Sequence, residues 1–107
     1  MNLNNFVNRY VEVDGAKAAN TFTIAGGAGA WIDTDISGSD VPANAIAIAI
    51  RCTPTGAQYN GARAHGGVTQ GLTGSHQWFT ICGQASRHVD FYRDAAQNQY
   101  NIEGYWI

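Results

Sequence analysis

Between Ala45 and Thr53 the chain alternates with a period of two. Ile46, Ile48, Ile50 and Cys52 fall on one side of an extended backbone, and Ala45, Ala47, Ala49 and Arg51 on the other. A helical stripe needs a period near 3.6, so the segment predicts a strand with its isoleucines turned inward. The alanine side is unusual. An outer strand face wet by solvent carries Thr, Lys, Glu or Arg more often than a row of alanines. Alanines there imply that this side is covered too, either by a loop crossing a central strand or by close approach of another subunit.

Turn-forming clusters repeat along the rest of the chain at intervals of about 8–12 residues, the rhythm of a sandwich or barrel. They predict strands over residues 6–14, 21–24, 31–36, 45–53, 59–65, 76–82, 86–93 and 100–107. The breaks between them include Asp14-Gly15, Gly26-Gly27, residues 37–42, Pro54-Thr55-Gly56, the glycine-rich segment 66–74 and residues 94–98. No amphipathic helix longer than one turn fits the pattern. The expectation is therefore one all-β domain over 1–107, an antiparallel β-sandwich of about eight strands, with residues 1–9 as a possible arm. Its expected core is Ile46, Ile48, Ile50, Phe79, Ile81, Val89 and Phe91, with Trp31 and Trp78 also inside.

Composition narrows the function. Only 13% of residues are charged, the formal net charge is −2, and the six Lys plus Arg are scattered. That distribution argues against nucleic acid as the main ligand. The most apolar run, residues 43–50, is far short of the ~20 residues that cross a bilayer, so no membrane partner is expected. The first residues lack the basic start and apolar stretch of a secretion signal. Cys52 and Cys82 are then expected to be reduced, buried thiols.

Catalytic and metal motifs are incomplete. Asp33, Asp35 and Gly38 fit the first half of a calcium loop, but Ser37 replaces its third ligand and Asn44 stands where the bidentate Glu belongs. A strand-end turn with solvated carboxylates is the expected reading. His65, His76 and His88 lie 11 and 12 residues apart, which matches no zinc signature. Ser86, His88 and Asp90 alternate on one strand without a nucleophile elbow, so they do not make a triad. Gly66 to Gly74 carries no Lys and opens no helix, unlike a phosphate cradle. No catalytic residue, metal or cofactor is expected, and no enzyme.

The sequence does contain a recognisable series of packing motifs. Trp31 to Ser37 reads W-x-D-x-D-I-S, and Val41 to Ala45 reads V-P-A-x-A ahead of the aliphatic strand. Arg63, an aromatic strand, Val89-Asp90 and a terminal Gly104-Tyr105-Trp106 follow. Over residues 31–107 this resembles the small jelly-roll-like β-sandwich domains of tailed-phage virions, found as capsid cement (decoration) proteins and tail-fibre tips. The resemblance implies a jelly-roll-like fold and a structural protein, made in the host cytoplasm, that sits on the capsid exterior. It implies a homotrimer that clamps the major capsid protein.

On that reading the interface residues are Asn2, Asn5, Phe6 and Arg9 of the arm, the alanine face at Ala45, Ala47 and Ala49, and the terminal pair Tyr105 and Trp106. The alternative is a carbohydrate-binding module or fibre-tip receptor binder. Exposed aromatics flanked by polar side chains would serve it, and the candidates are Tyr59, Asn60, Arg63, His88, Tyr92 and Arg93.

Overall fold

The computed structural model describes residues 9–54, 59–67, 77–82 and 87–107, and their side chains except those of Pro54, Gln77, Phe79 and Cys82. Among the described residues eight strands follow in order: β1 (Tyr10–Glu12), β2 (Thr21–Ile24), β3 (Ala30–Asp35), β4 (Ala47–Pro54), β5 (Ala62–Ala64), β6 (Gln77–Cys82), β7 (His88–Arg93) and β8 (Asn98–Trp106). A short 3-10 turn, Ala18–Asn20, precedes β2. All strand pairs are antiparallel.

Two sheets form. In the larger, β6 pairs β4, β4 pairs β8, and the free edge of β8 takes β1 and β2 end to end. The smaller has the order β3-β7-β5. The pairs β2 with β8, β3 with β7 and β4 with β6 are nested around β5. The chain is thus one long hairpin rolled up so that successive strands from β2 onward fall in opposite sheets. This is jelly-roll winding, a sandwich solution that covers each sheet's apolar face with the other.

The alternation in β4 works as expected within the strand. Ile48, Ile50 and Cys52 are fully buried, and Ile81, Val89, Phe91, Tyr100 and Ile102 join them in the core. Burying each large apolar side chain contributes about 1.5–3 kcal/mol. Phe91 of the smaller sheet stacks on Tyr100 of the larger, with ring centroids 4.4 Å apart, and meets Phe22 at 5.6 Å. The Tyr100 hydroxyl donates to the Tyr92 carbonyl at 2.8 Å and accepts the Gly61 N–H at 3.1 Å. A phenol crossing the core therefore has both hydrogen-bonding roles filled at the far sheet. The expected core side chain of Phe79 lies outside the described ones.

Three core assignments are corrected. Ile46 is 47% exposed, because the Pro42 carbonyl accepts the Ala45 N–H in a turn and regular pairing starts only at Ala47. Trp78 is 62% exposed, on the outward side of β6 opposite Arg51. Trp31 is half-buried on the outer face of the smaller sheet, in register with Tyr92. Aromatic bulk alone does not decide which sheet face a strand residue takes.

A register shift between Ala49 and Ile50 moves the pairing of β8 by one residue: Ala49 faces Gly104, whereas Ile50 faces Ile102. Glu103 is the extra residue, as in a β-bulge. The shift puts Tyr105 opposite buried Ile48 and packs it against the core, while Trp106 faces outward opposite Ala47. Tyr105 and Trp106 accordingly do not act as one surface pair. Ala45 also packs against the core and does not continue the face of Ala47 and Ala49.

Candidate functional site

Each sheet's outer face holds a group of side chains that the core does not require. On the smaller sheet, Trp31, Asp33 and Asp35 of β3 stand opposite Tyr92, Asp90 and His88 of β7, and Arg63 of β5 faces Asp90 from the other side. Asp90 is the centre of this group. It is only 2% exposed, an unusual degree of burial for a carboxylate. Its Oδ2 accepts Arg63 Nε at 2.9 Å and the Gly66 N–H at 3.0 Å. Gly66 has φ +72°, a left-handed conformation that favours glycine and that turns this N–H onto the carboxylate. Asp90 Oδ1 lies 2.7 Å from His65 Nδ1.

Burial alone would raise the Asp90 pKa, but the hydrogen bonds from His65, Gly66 and Arg63 outweigh it and hold the carboxyl below its ordinary value. His65 is shifted the other way: its bond to Asp90, with the nearby charge of Asp33, raises it. Asp33 Oδ1 in turn lies 2.7 Å from His88 Nδ1 and 3.5 Å from His65 Nδ1. The two imidazole rings are 6.1 Å apart. Arg63 lies over the Trp31 ring at 4.5 Å, and Trp31 meets Tyr92 edge-on at 5.2 Å. Two imidazoles, two carboxylates and a guanidinium are thus fixed on three strands and the turn that follows β5, a rigid arrangement for binding.

The outer face of the larger sheet has different chemistry. Ala47 and Ala49 lie at its centre on β4, flanked by β8 and β6. Trp106 stands beside Ala47, and its ring packs on Tyr10 at 4.7 Å. The Tyr10 ring occupies the space that a side chain at position 104 would fill, which explains the glycine there. Trp78 rises on the other side, opposite Arg51. Arg51 Nε and Glu103 Oε1 pair at 3.1 Å. Tyr10, Ile46 and Trp78 are all large apolar side chains left exposed at this sheet or its margin.

The expected carbohydrate set is only partly assembled. Arg63, His88 and Tyr92 share the outer face of the smaller sheet, and Tyr59 is exposed. Asn60, however, is fully buried. Arg93 has the opposite strand parity to Tyr92, and its Nε donates to the Ala28 carbonyl. Of the capsid set, Ala47, Ala49 and Trp106 share one face. Arg9 exchanges backbone hydrogen bonds with Ile107 and so extends the edge of the larger sheet. Asn2, Asn5 and Phe6 lie outside the described residues.

The calcium-loop reading resolves into a turn. Asp35 Oδ1 accepts the Ser37 N–H at 2.8 Å, while Asp33 is drawn to the histidines. The third histidine considered, His76, and Ser86 lie outside the described residues; His88 is engaged with Asp33. Sequence spacing overlooked the group formed by Asp33, His65, His88 and Asp90. Its one linear signal was the same-face alternation of Asp33 with Asp35 and of His88 with Asp90.

Cys52 is a free, buried thiol, and burial pushes its pKa up to about 12. Cys52 pairs Gln77 while Cys82 pairs Ala47, so the two cysteines sit at opposite ends of the β4–β6 ladder. That separation, about 16 Å at strand rise, is too great for a disulfide within the chain.

Comparison with known proteins gives no match to a family model, a curated protein or a solved structure.

Proposed function

We propose that this chain is a non-enzymatic structural protein that assembles through the outer face of its larger sheet, as a phage capsid cement protein would. The observation that carries this reading is exposed Trp78, with Tyr10 and Trp106, around the small residues Ala47, Ala49 and Gly104. Surface tryptophan and tyrosine beside arginine characterise the anchors of protein interfaces. Ala47 and Ala49 are themselves buried within the chain and form a low floor between the rings, so the contact area is supplied by the aromatics, which have little side-chain entropy to lose. The sequence motifs over 31–107 add the virion setting, a homotrimer and the major capsid protein as partner.

The test is co-sedimentation with purified phage capsids stripped of their decoration protein. The chain should saturate the lattice and remain bound in high salt, because apolar contact and neutral hydrogen bonds are weakly screened. Trp78→Asp should abolish attachment while the far-UV spectrum remains unchanged. Attachment unaffected by Trp78→Asp would refute this face as the docking surface. Glycan-array binding lost in Tyr92→Ala, with no capsid attachment, would replace the proposal with the carbohydrate-binding alternative.

A further inference from the structure

We propose that Asp33, His65 and Asp90 form a binding site for a divalent first-row transition-metal ion, on the outer face of the smaller sheet and apart from the assembly face. Each offers one ligand atom, and the three atoms all lie within 4.8 Å of one another. They come from β3, from the residue just after β5, and from β7, so the sheet itself fixes their spacing. Metal bonds of about 2.0–2.2 Å put tetrahedral ligand atoms about 3.3–3.6 Å apart. His65 Nδ1 and Asp33 Oδ1 already stand at 3.5 Å. His65 Nδ1 and Asp90 Oδ1, at 2.7 Å, need to open by a little over half an ångström when a metal ion takes the place of the proton between them.

The surrounding groups orient the carboxylates. Arg63 and the Gly66 N–H hold Asp90 Oδ2 and leave Oδ1 facing His65. His88 Nδ1 lies 2.7 Å from the same Asp33 oxygen, Oδ1, and steadies that carboxylate from β7. Outer partners of this kind fix ligand orientation in metal sites. Arg63 and Gly66 both occupy Asp90 Oδ2, so Oδ1 is the oxygen turned to His65, and Asp33, which the Asp90 carboxylate does not need, converges on the same His65 nitrogen. An imidazole with two carboxylates suits zinc, cobalt or manganese better than calcium or magnesium, which favour all-oxygen shells. Three protein ligands leave a coordination position for water or an exogenous ligand. Binding is a simple exchange: the ion enters, and the His65 Nδ1 proton leaves to solvent.

The test uses the full chain without an affinity tag, freed of metal with chelator and titrated with Co²⁺ while visible absorption is recorded. One Co²⁺ per chain is expected, with ligand-field bands of nitrogen and oxygen coordination and no thiolate charge-transfer band. Metal should also raise the melting temperature by binding only the folded state. His65→Ala should keep the far-UV spectrum and lose the bands. His88→Gln should weaken binding by about 10–100-fold, as loss of a carboxylate holder does. Failure of the folded wild-type chain to bind Co²⁺ or Zn²⁺ stoichiometrically would overturn the site. Undiminished binding in His65→Ala would do so too. Neither outcome bears on capsid attachment, which is read separately through Trp78.

Discussion

Tyr100 shows how a single polar atom can tie the two sheets together. Its ring stacks on Phe91, and its hydroxyl serves one donor and one acceptor of the opposite sheet's connections. Tyr100→Phe keeps the ring but leaves the buried Gly61 N–H without this partner. It should destabilise the fold by about 1–3 kcal/mol, measured by urea denaturation, with little change in the far-UV spectrum. Asp40 plays a similar part at the surface. Its carboxylate accepts Asn20 Nδ2 at 3.0 Å and Lys17 Nζ at 2.9 Å, and these bonds lower its pKa. A carboxylate with a depressed folded pKa stabilises above its unfolded value, near 4, and loses that contribution as pH falls through the folded value. Stability should therefore decline on acidification below about pH 4, and less steeply in Asp40→Asn than in the wild type. An equal slope in both proteins would show that the Asn20 and Lys17 contacts do not persist in solution.

Among the elements, β4 and β8 carry the architecture. Ile50, buried at the register shift, should cost about 2–5 kcal/mol when truncated to Ala. At Gly104 an added methyl meets the Tyr10 ring. Gly104→Ala should cost about 1 kcal/mol by pushing Tyr10 away from Trp106, and much less in a Tyr10→Ala background. A double-mutant cycle that is simply additive would contradict that contact.

These elements also show what a linear reading can reach. Strand β4 is legible because its alternation is a property of one segment, and β2 appears with its predicted limits, Thr21–Ile24. The bulge at Glu103 was not legible, since an extra residue exists only relative to a partner strand. Plain alternation already sends Tyr105 and Trp106 to opposite sides; what the bulge decides is that Tyr105 is the one turned inward, opposite Ile48. The outward turn of Trp31 and Trp78, by contrast, was legible from parity: Trp31 alternates with Asp33 and Asp35, and Trp78 has the opposite parity to Ile81, so aromatic bulk was given weight that the alternation opposed. His88 and Asp33 are 55 residues apart in the chain. Nested pairing of β3 with β7 brings them together, and no spacing rule for metal motifs anticipates that.

At the scale of the whole molecule, the two outer faces divide the chemistry. The smaller sheet gathers its ionisable groups into one compact network, while the larger exposes aromatics around small residues. With a 13% charged share, the chain has few charges with which to steer or hold a partner. On the proposed reading, association rests on apolar area and shape, which the exposed aromatics of the larger sheet supply. Solution mass by light scattering across micromolar concentrations tests this most directly, comparing the wild type with Trp78→Asp. The account predicts a wild-type species of about three times the 11.5 kDa chain, stable in high salt, and a folded monomer for the variant. A wild-type protein that stays monomeric throughout, or a Trp78→Asp protein that assembles as the wild type does, would contradict it.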